Sequence, residues 1–100
     1  MEIYRREWKT EEGLESTTIS CRFLESGALK FEGHDIGPSV ETLQGDSDYE
    51  YWMEISAEDI EHFLPMILKE AFNKTDCLTF ERIRDLCRAN DIECNFTVWR

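Results

Sequence analysis

The chain has 100 residues, of which 41% are hydrophobic, so it can bury one modest core and is too apolar to be disordered. Its 22 acidic and 11 basic residues give a net charge of −11, which disfavours nucleic acids and anionic lipids as partners. No apolar run approaches the roughly 20 residues of a membrane span, and the charged start MEIYRREWK lacks the apolar stretch of a signal peptide. We therefore expect one domain over residues 1–100, located in the cytoplasm.

The first half of the sequence predicts four strands. Residues 2–9 are aromatic and charged, which suits an edge strand. TTISCRFLE alternates apolar and polar side chains, and ALKFEG continues the pattern after a hairpin signal at ESG. The fourth strand, in DSDYEYWMEI, has one face that we expect to be buried. That face comprises Tyr49, Tyr51, Met53 and Ile55, and the opposite face comprises Glu50, Trp52 and Glu54.

The connection between the third and fourth strands, HDIGPSVETLQG, is punctuated by two glycines and a proline. One helical turn is expected near Val40 and Leu43. His34 and Asp35 are interpreted as residues that enter this loop, because Asp favours turns by bonding nearby backbone N–H groups.

The second half predicts two helices and a last strand. SAED at Ser56 resembles a capping box and starts the first helix, in which Pro65 predicts a kink. The second helix is expected over residues 79–89. IECNFTVW then alternates, which predicts a final strand. The order β-β-β-β-α-α-β indicates an α+β fold, with two helices on one face of a largely antiparallel sheet of about five strands.

The cysteines give no sign of a metal or redox site. Their positions are Cys21, Cys77, Cys87 and Cys94, and no pair has the C-x-x-C spacing. In a reducing compartment buried thiols behave as small apolar side chains. We therefore expect no disulfide, no metal and no cofactor.

One stretch holds candidate chemical groups, namely His34, Asp46, Asp48 and Glu50. A His beside an Asp resembles a general base with its orienting acid, but adjacent side chains point apart on extended backbone. The alternating acids resemble hard-cation ligands, although an EF-hand loop needs about a dozen residues. Asp48 and Glu50 would share one strand face about 7 Å apart, a separation also found in glycosidases. A small metal-binding or hydrolytic domain is therefore one alternative function.

Two tryptophans favour a different function. Trp52 lies between Glu50 and Glu54 on the polar side of its strand, and Trp99 has the outward parity of the last strand. An exposed Trp supplies area to bury, and carboxylates attract a basic partner. We therefore favour a non-enzymatic protein-binding module that uses Glu50, Trp52, Glu54 and Trp99. The alternatives are that other elements cover these rings as core, or that the acids mimic nucleic-acid phosphates, for which Glu50 and Glu54 are a short run.

The stretch LKFEGHDIGPSVETLQGDSDYEYWMEISAEDIEHFL, residues 29–64, resembles a group of small bacterial proteins with no established activity. These share a Gly-x-Asp-(Ile/Leu)-Gly element, then a strand with Gly, acidic or polar residues and Tyr-Glu-Tyr, then a helix. The matching residues are Gly33, Asp35, Gly37, Gly45, Asp48, Tyr49, Glu50 and Tyr51. The resemblance implies a shared fold rather than a mechanism. In size and charge the chain is also similar to immunity proteins that neutralise bacterial toxins.

Overall fold

The computed structural model describes residues 1–74 and 78–98 and shows an α+β protein. Its elements are β1 (Glu2–Thr10), β2 (Gly13–Phe23), β3 (Leu29–Ile36), α1 (Pro38–Gln44), β4 (Asp48–Ile55), a 3-10 turn (Ala57–Asp59), α2 (Ile60–Asn73) and α3 (Phe80–Ala89). The α+β class and the antiparallel sheet are confirmed. The described residues contain four strands and three α-helices, rather than the expected five and two. Contacts divide the chain into two compact units, Met1–Glu61 and His62–Arg100, and the expected single domain stays a prediction.

The first unit is built on a meander of four antiparallel strands in the order β1-β2-β3-β4. β1 and β4 are therefore the edge strands. β3 and β4 pair without a break over eight residue pairs, from Leu29 opposite Ile55 to Ile36 opposite Asp48. Because side chains alternate across a strand, this register assigns every residue of the sheet to one of two faces.

One of these faces, the polar face, carries mostly charged and hydroxyl side chains. In the four strands it includes Arg5, Ser16, Thr18, Ser20, Lys30, Glu32, His34, Glu50, Trp52 and Glu54. The other, the apolar face, carries Trp8, Ile19, Phe31, Tyr49, Tyr51 and Met53. The predicted division of the β2, β3 and β4 side chains between the two faces of the sheet is thus confirmed.

α1 packs against one end of the apolar face, where Val40 and Leu43 line a cavity of about 170 Å³ together with Trp8 and Tyr49. Away from this end, Met53 is 59% exposed. The burial expected for this face of β4 is therefore incomplete, and the packing of α1 covers one end of it.

A buried carboxylate anchors α1. The N-cap residue of this helix is Gly37, with φ of 142°, and it has no side chain to cap the backbone. Glu15 of β2 supplies the acceptor instead, since its Oε1 accepts a hydrogen bond of 2.8 Å from the backbone N–H of Ser39. Glu15 is only 3% exposed. Neither the helix anchor nor the burial of Glu15 was expected from the sequence, which predicted one turn where two form.

The second unit contains most of α2 and all of α3. α2 runs through Pro65 as one helix, so the expected kink stays a prediction. Thr79 caps α3, with its Oγ1 accepting from the N–H of Arg82 at 3.0 Å, as the predicted start at residue 79 requires. Phe72 of α2 and Phe80 of α3 meet edge to face at 6.1 Å between ring centroids. None of the helices that the structure describes is long and apolar enough to cross a bilayer.

The predicted final strand is wrong for residues 92–98, which the structure describes and which form no strand. Asp91 adopts a positive φ of 55°, and the N–H of Ile92 donates to the carbonyl of Cys87 at 2.8 Å. The chain thus turns back along α3, where the Arg84 guanidinium lies 4.1 Å from the ring centroid of Phe96. The segment therefore lies beside α3. Its alternation of apolar and polar side chains does not require pairing with another strand.

Candidate functional site

The structure places three of the four expected partner-binding residues on one face of an edge strand. Glu50, Trp52 and Glu54 alternate along β4 and therefore share the polar face. Trp52 is 66% exposed, so its ring is available to a partner. Trp99, the fourth, lies outside the described residues.

Lys30 is part of this surface and was missed at the level of sequence. It lies opposite Glu54 in the β3–β4 register, beside the pair formed by Glu32 and Trp52. Its Nζ is 5.9 Å from the Trp52 ring centroid and 3.4 Å from a Glu32 carboxylate oxygen. Alternation along β3 indicates that Lys30 is on the polar face, but only the β3–β4 register shows which side chains lie next to it.

The acids of β4 lack the neutralising partners that other acids of this face have. Lys30 pairs with Glu32, whereas Asp48, Glu50 and Glu54 form no ion pair with Lys or Arg in the described part of the chain. We name these last three residues the acidic strip. With Trp52 among them, they give the outer strand a concentration of negative charge that no Lys or Arg of the described residues pairs with.

His34 meets two of these carboxylates at one end of the acidic strip. It lies directly opposite Glu50 in the register, with its Nε2 3.9 Å from Glu50 Oε1 and in direct contact with Asp48 Oδ1. One ligand atom from each of the three residues lies within 4.8 Å of the others. All three side chains are partly exposed, at 38% for His34, 55% for Asp48 and 69% for Glu50.

Two expectations about this segment need correction. His34 and Asp35 do not enter a loop, because β3 continues through both of them to Ile36. Pairing with β4 keeps the backbone extended, and the adjacent side chains point to opposite faces as predicted. Asp46 does not join His34, because it lies in the turn before β4 and accepts from the N–H of Asp48 at 3.3 Å.

Asp35 meets a different partner on the apolar face. The hydroxyl of Tyr51 donates a hydrogen bond of 3.1 Å to Asp35 Oδ1. Burial raises the pKa of the Tyr51 phenol, and the hydrogen bond to Asp35 raises it further. The phenol therefore stays protonated at neutral pH and acts as a hydrogen-bond donor. Its ring lies over Gly33, its partner in the register.

An open cavity of about 590 Å³ lies along the polar face. Its lining combines the guanidinium of Arg5, the hydroxyl of Thr18, the imidazole of His34 and the Trp52 ring with further polar groups. Arg5 is held there by Glu2 and Glu7, which lie 3.0 Å and 3.4 Å away, and the hydrogen bond to Glu2 is the main cause that raises its pKa. The cavity offers both donors and acceptors to a polar ligand.

Comparisons with known proteins give no relative. No family model matches the chain. No curated protein and no solved structure matches it either. The resemblance of residues 29–64 to small bacterial proteins therefore stays a prediction, and function has to be argued from the side chains themselves.

Proposed function

We propose that this protein is a non-enzymatic cytoplasmic binding module that recognises a basic partner protein through the polar face of β4. One observation carries the proposal. An exposed Trp52 lies within the acidic strip, on an edge strand, and the strip has no Lys or Arg partner among the described residues. An immunity or inhibitor protein that neutralises a basic toxin or enzyme would need such a surface.

Trp52 supplies the apolar part of the contact. Two-thirds of its surface is exposed, which leaves an area whose burial in a complex is worth about 2–3 kcal/mol. The Lys30 Nζ is 5.9 Å from the ring centroid, a contact that we expect to restrict the ring before the partner binds. A preordered aromatic side chain loses less entropy on binding, which is why Trp is frequent among the residues that dominate binding energy.

The acidic strip supplies charge complementarity. Asp48, Glu50 and Glu54 are part of a net charge of −11 for the whole chain. Such a field accelerates encounter with a basic protein and repels acidic ones, and salt screens it. Affinity for the partner is therefore expected to fall as ionic strength rises.

The edge position of β4 suggests how the partner binds. In the described sheet β4 pairs on one side only, with β3. An extended segment of the partner can hydrogen-bond to the free side, and alternate side chains of that segment then lie beside the polar face. We expect basic residues in this segment at positions next to Glu50 and Glu54, with an apolar residue between them next to Trp52.

Capture of proteins from a cell extract, followed by titration of the purified partner, tests the proposal. Trp52→Ala and Glu50→Lys should each weaken the complex by about tenfold or more, in line with the loss of a central aromatic or charged contact. Glu12→Lys is the matched control, because it makes the same charge change in the exposed turn between β1 and β2. Identical partners and affinities for the wild type and both β4 variants would refute the assignment of this surface.

A further inference from the structure

We infer that His34, Asp48 and Glu50 form a binding site for a divalent transition-metal ion of the Zn²⁺ class. Their ligand atoms, one imidazole nitrogen and two carboxylate oxygens, all lie within 4.8 Å of one another. A single cation can bind all three atoms at ordinary ligand distances of about 2.0–2.2 Å after small rotations of these partly exposed side chains. The site shares Asp48 and Glu50 with the acidic strip but uses neither Trp52 nor Glu54, and titration with Zn²⁺ alone tests it whether or not a partner protein binds.

The backbone that holds these ligands is regular and paired. His34 and Glu50 are directly opposite each other on β3 and β4, and Asp48 lies two residues before Glu50 on the same face. Ligands that project from adjacent paired strands are held more precisely than ligands on a loop. Asp46, by contrast, is in the turn, and its carboxylate is engaged by the backbone of Asp48.

The donor types decide which metal fits. Mg²⁺ and Ca²⁺ prefer oxygen ligands alone, whereas an imidazole with carboxylates suits Zn²⁺ and its first-row neighbours. Three protein ligands leave one position of a tetrahedral Zn²⁺ for water or a bound molecule. His34 and Glu50 also line the cavity of about 590 Å³, which gives such a molecule room beside the site.

The charge balance of the surroundings is a second, independent observation. Asp48 and Glu50 are two like charges close together, and in the structure as described no Lys or Arg pairs with either of them. Arg5 on the same face is already held between Glu2 and Glu7. A dication bound by all three residues would neutralise both carboxylates.

Titration of the metal-free, ¹⁵N-labelled protein with Zn²⁺ tests this inference. Saturable amide shifts should centre on residues 34, 48 and 50, and Mg²⁺ at the same concentration should not produce them. His34→Ala and Glu50→Gln should each weaken Zn²⁺ binding by about tenfold or more. Because Glu50 is largely exposed, its variant should retain the fold even if the His34 variant does not.

Three variants serve as matched controls. His62→Ala removes the other histidine, Asp46→Asn removes the neighbouring acid, and Cys94→Ser removes a thiol able to bind Zn²⁺. All three should bind Zn²⁺ as the wild type does. Shifts that centre on Cys94, equal affinity in the Glu50→Gln variant, or no saturable shift at all would each overturn the inference.

Discussion

Gly33 is the position where one methyl group tests the packing of the sheet. It faces Tyr51 across the β3–β4 pair, and a Cβ built on Gly33 would come within 3.0 Å of three atoms of the Tyr51 ring. Moving the ring away would disturb two contacts, since its hydroxyl donates to Asp35 at 3.1 Å and its centroid is 5.7 Å from that of Tyr49. We therefore expect Gly33→Ala to displace the ring and to destabilise the first unit.

The size of the effect follows from two opposing contributions. Overpacking of this kind costs about 1–3 kcal/mol. Ala stabilises a strand relative to Gly by roughly 0.5–1 kcal/mol, because Gly loses more backbone freedom on folding. The expected net loss in the free energy of unfolding is the difference between these contributions, about 0–2.5 kcal/mol.

A double-mutant cycle with Tyr51→Ala isolates the clash from the backbone effect. Once the ring is absent, Gly33→Ala should be neutral or should stabilise the unit by up to about 1 kcal/mol. Urea unfolding, followed through the amide signals of β3, gives the four free energies needed. An equal cost of Gly33→Ala with and without the Tyr51 ring would refute the reasoning.

Two further predictions concern Glu15 and Cys87. Glu15→Ala leaves the Ser39 N–H without its buried acceptor and should cost about 1–3 kcal/mol by urea unfolding, whereas Glu12→Ala in the exposed turn should cost little. An equal, small effect of both would contradict the role given to Glu15. Burial is the main cause that raises the pKa of the Cys87 thiol, and contact with Cys94 raises it further. A smaller fraction of Cys87 is therefore present as the reactive thiolate at pH 8. Peptide mapping should show slower alkylation of Cys87 than of exposed Cys94 in the folded protein and similar rates in urea, and equally fast alkylation in the folded protein would refute this.

The sequence was sufficient to predict which side chains share a strand face. Alternation alone placed Glu50, Trp52 and Glu54 together, and the range predicted for the second helix, residues 79–89, agrees with α3 to within one residue. The meeting of His34 with Glu50 was not predictable, because it depends on the β3–β4 register. No tight turn of known geometry sets that register, since α1 lies between the two strands.

The wrong final strand has a related cause. Residues 92–98 alternate as well as any strand of the sheet, but alternation does not reveal what lies beside a segment. Here the segment follows α3, where Phe96 meets Arg84. The burial of the Glu15 carboxylate was also not predictable. Nothing in the sequence around Glu15 indicates that its side chain binds the start of a helix 24 residues later.

The anchoring of α1 by Glu15 has a consequence for residues that Glu15 does not touch. α1 connects β3 to β4, so its position determines which residue of β4 pairs with Ile36. Glu15 holds the first turn of α1 in place. A slip of β4 by one position would reverse its faces and put Tyr49 and Tyr51 where Glu50 and Trp52 now lie. The alignment of His34 with the acids of β4, and the exposure of Trp52 beside them, therefore depend on a carboxylate on the opposite side of the sheet.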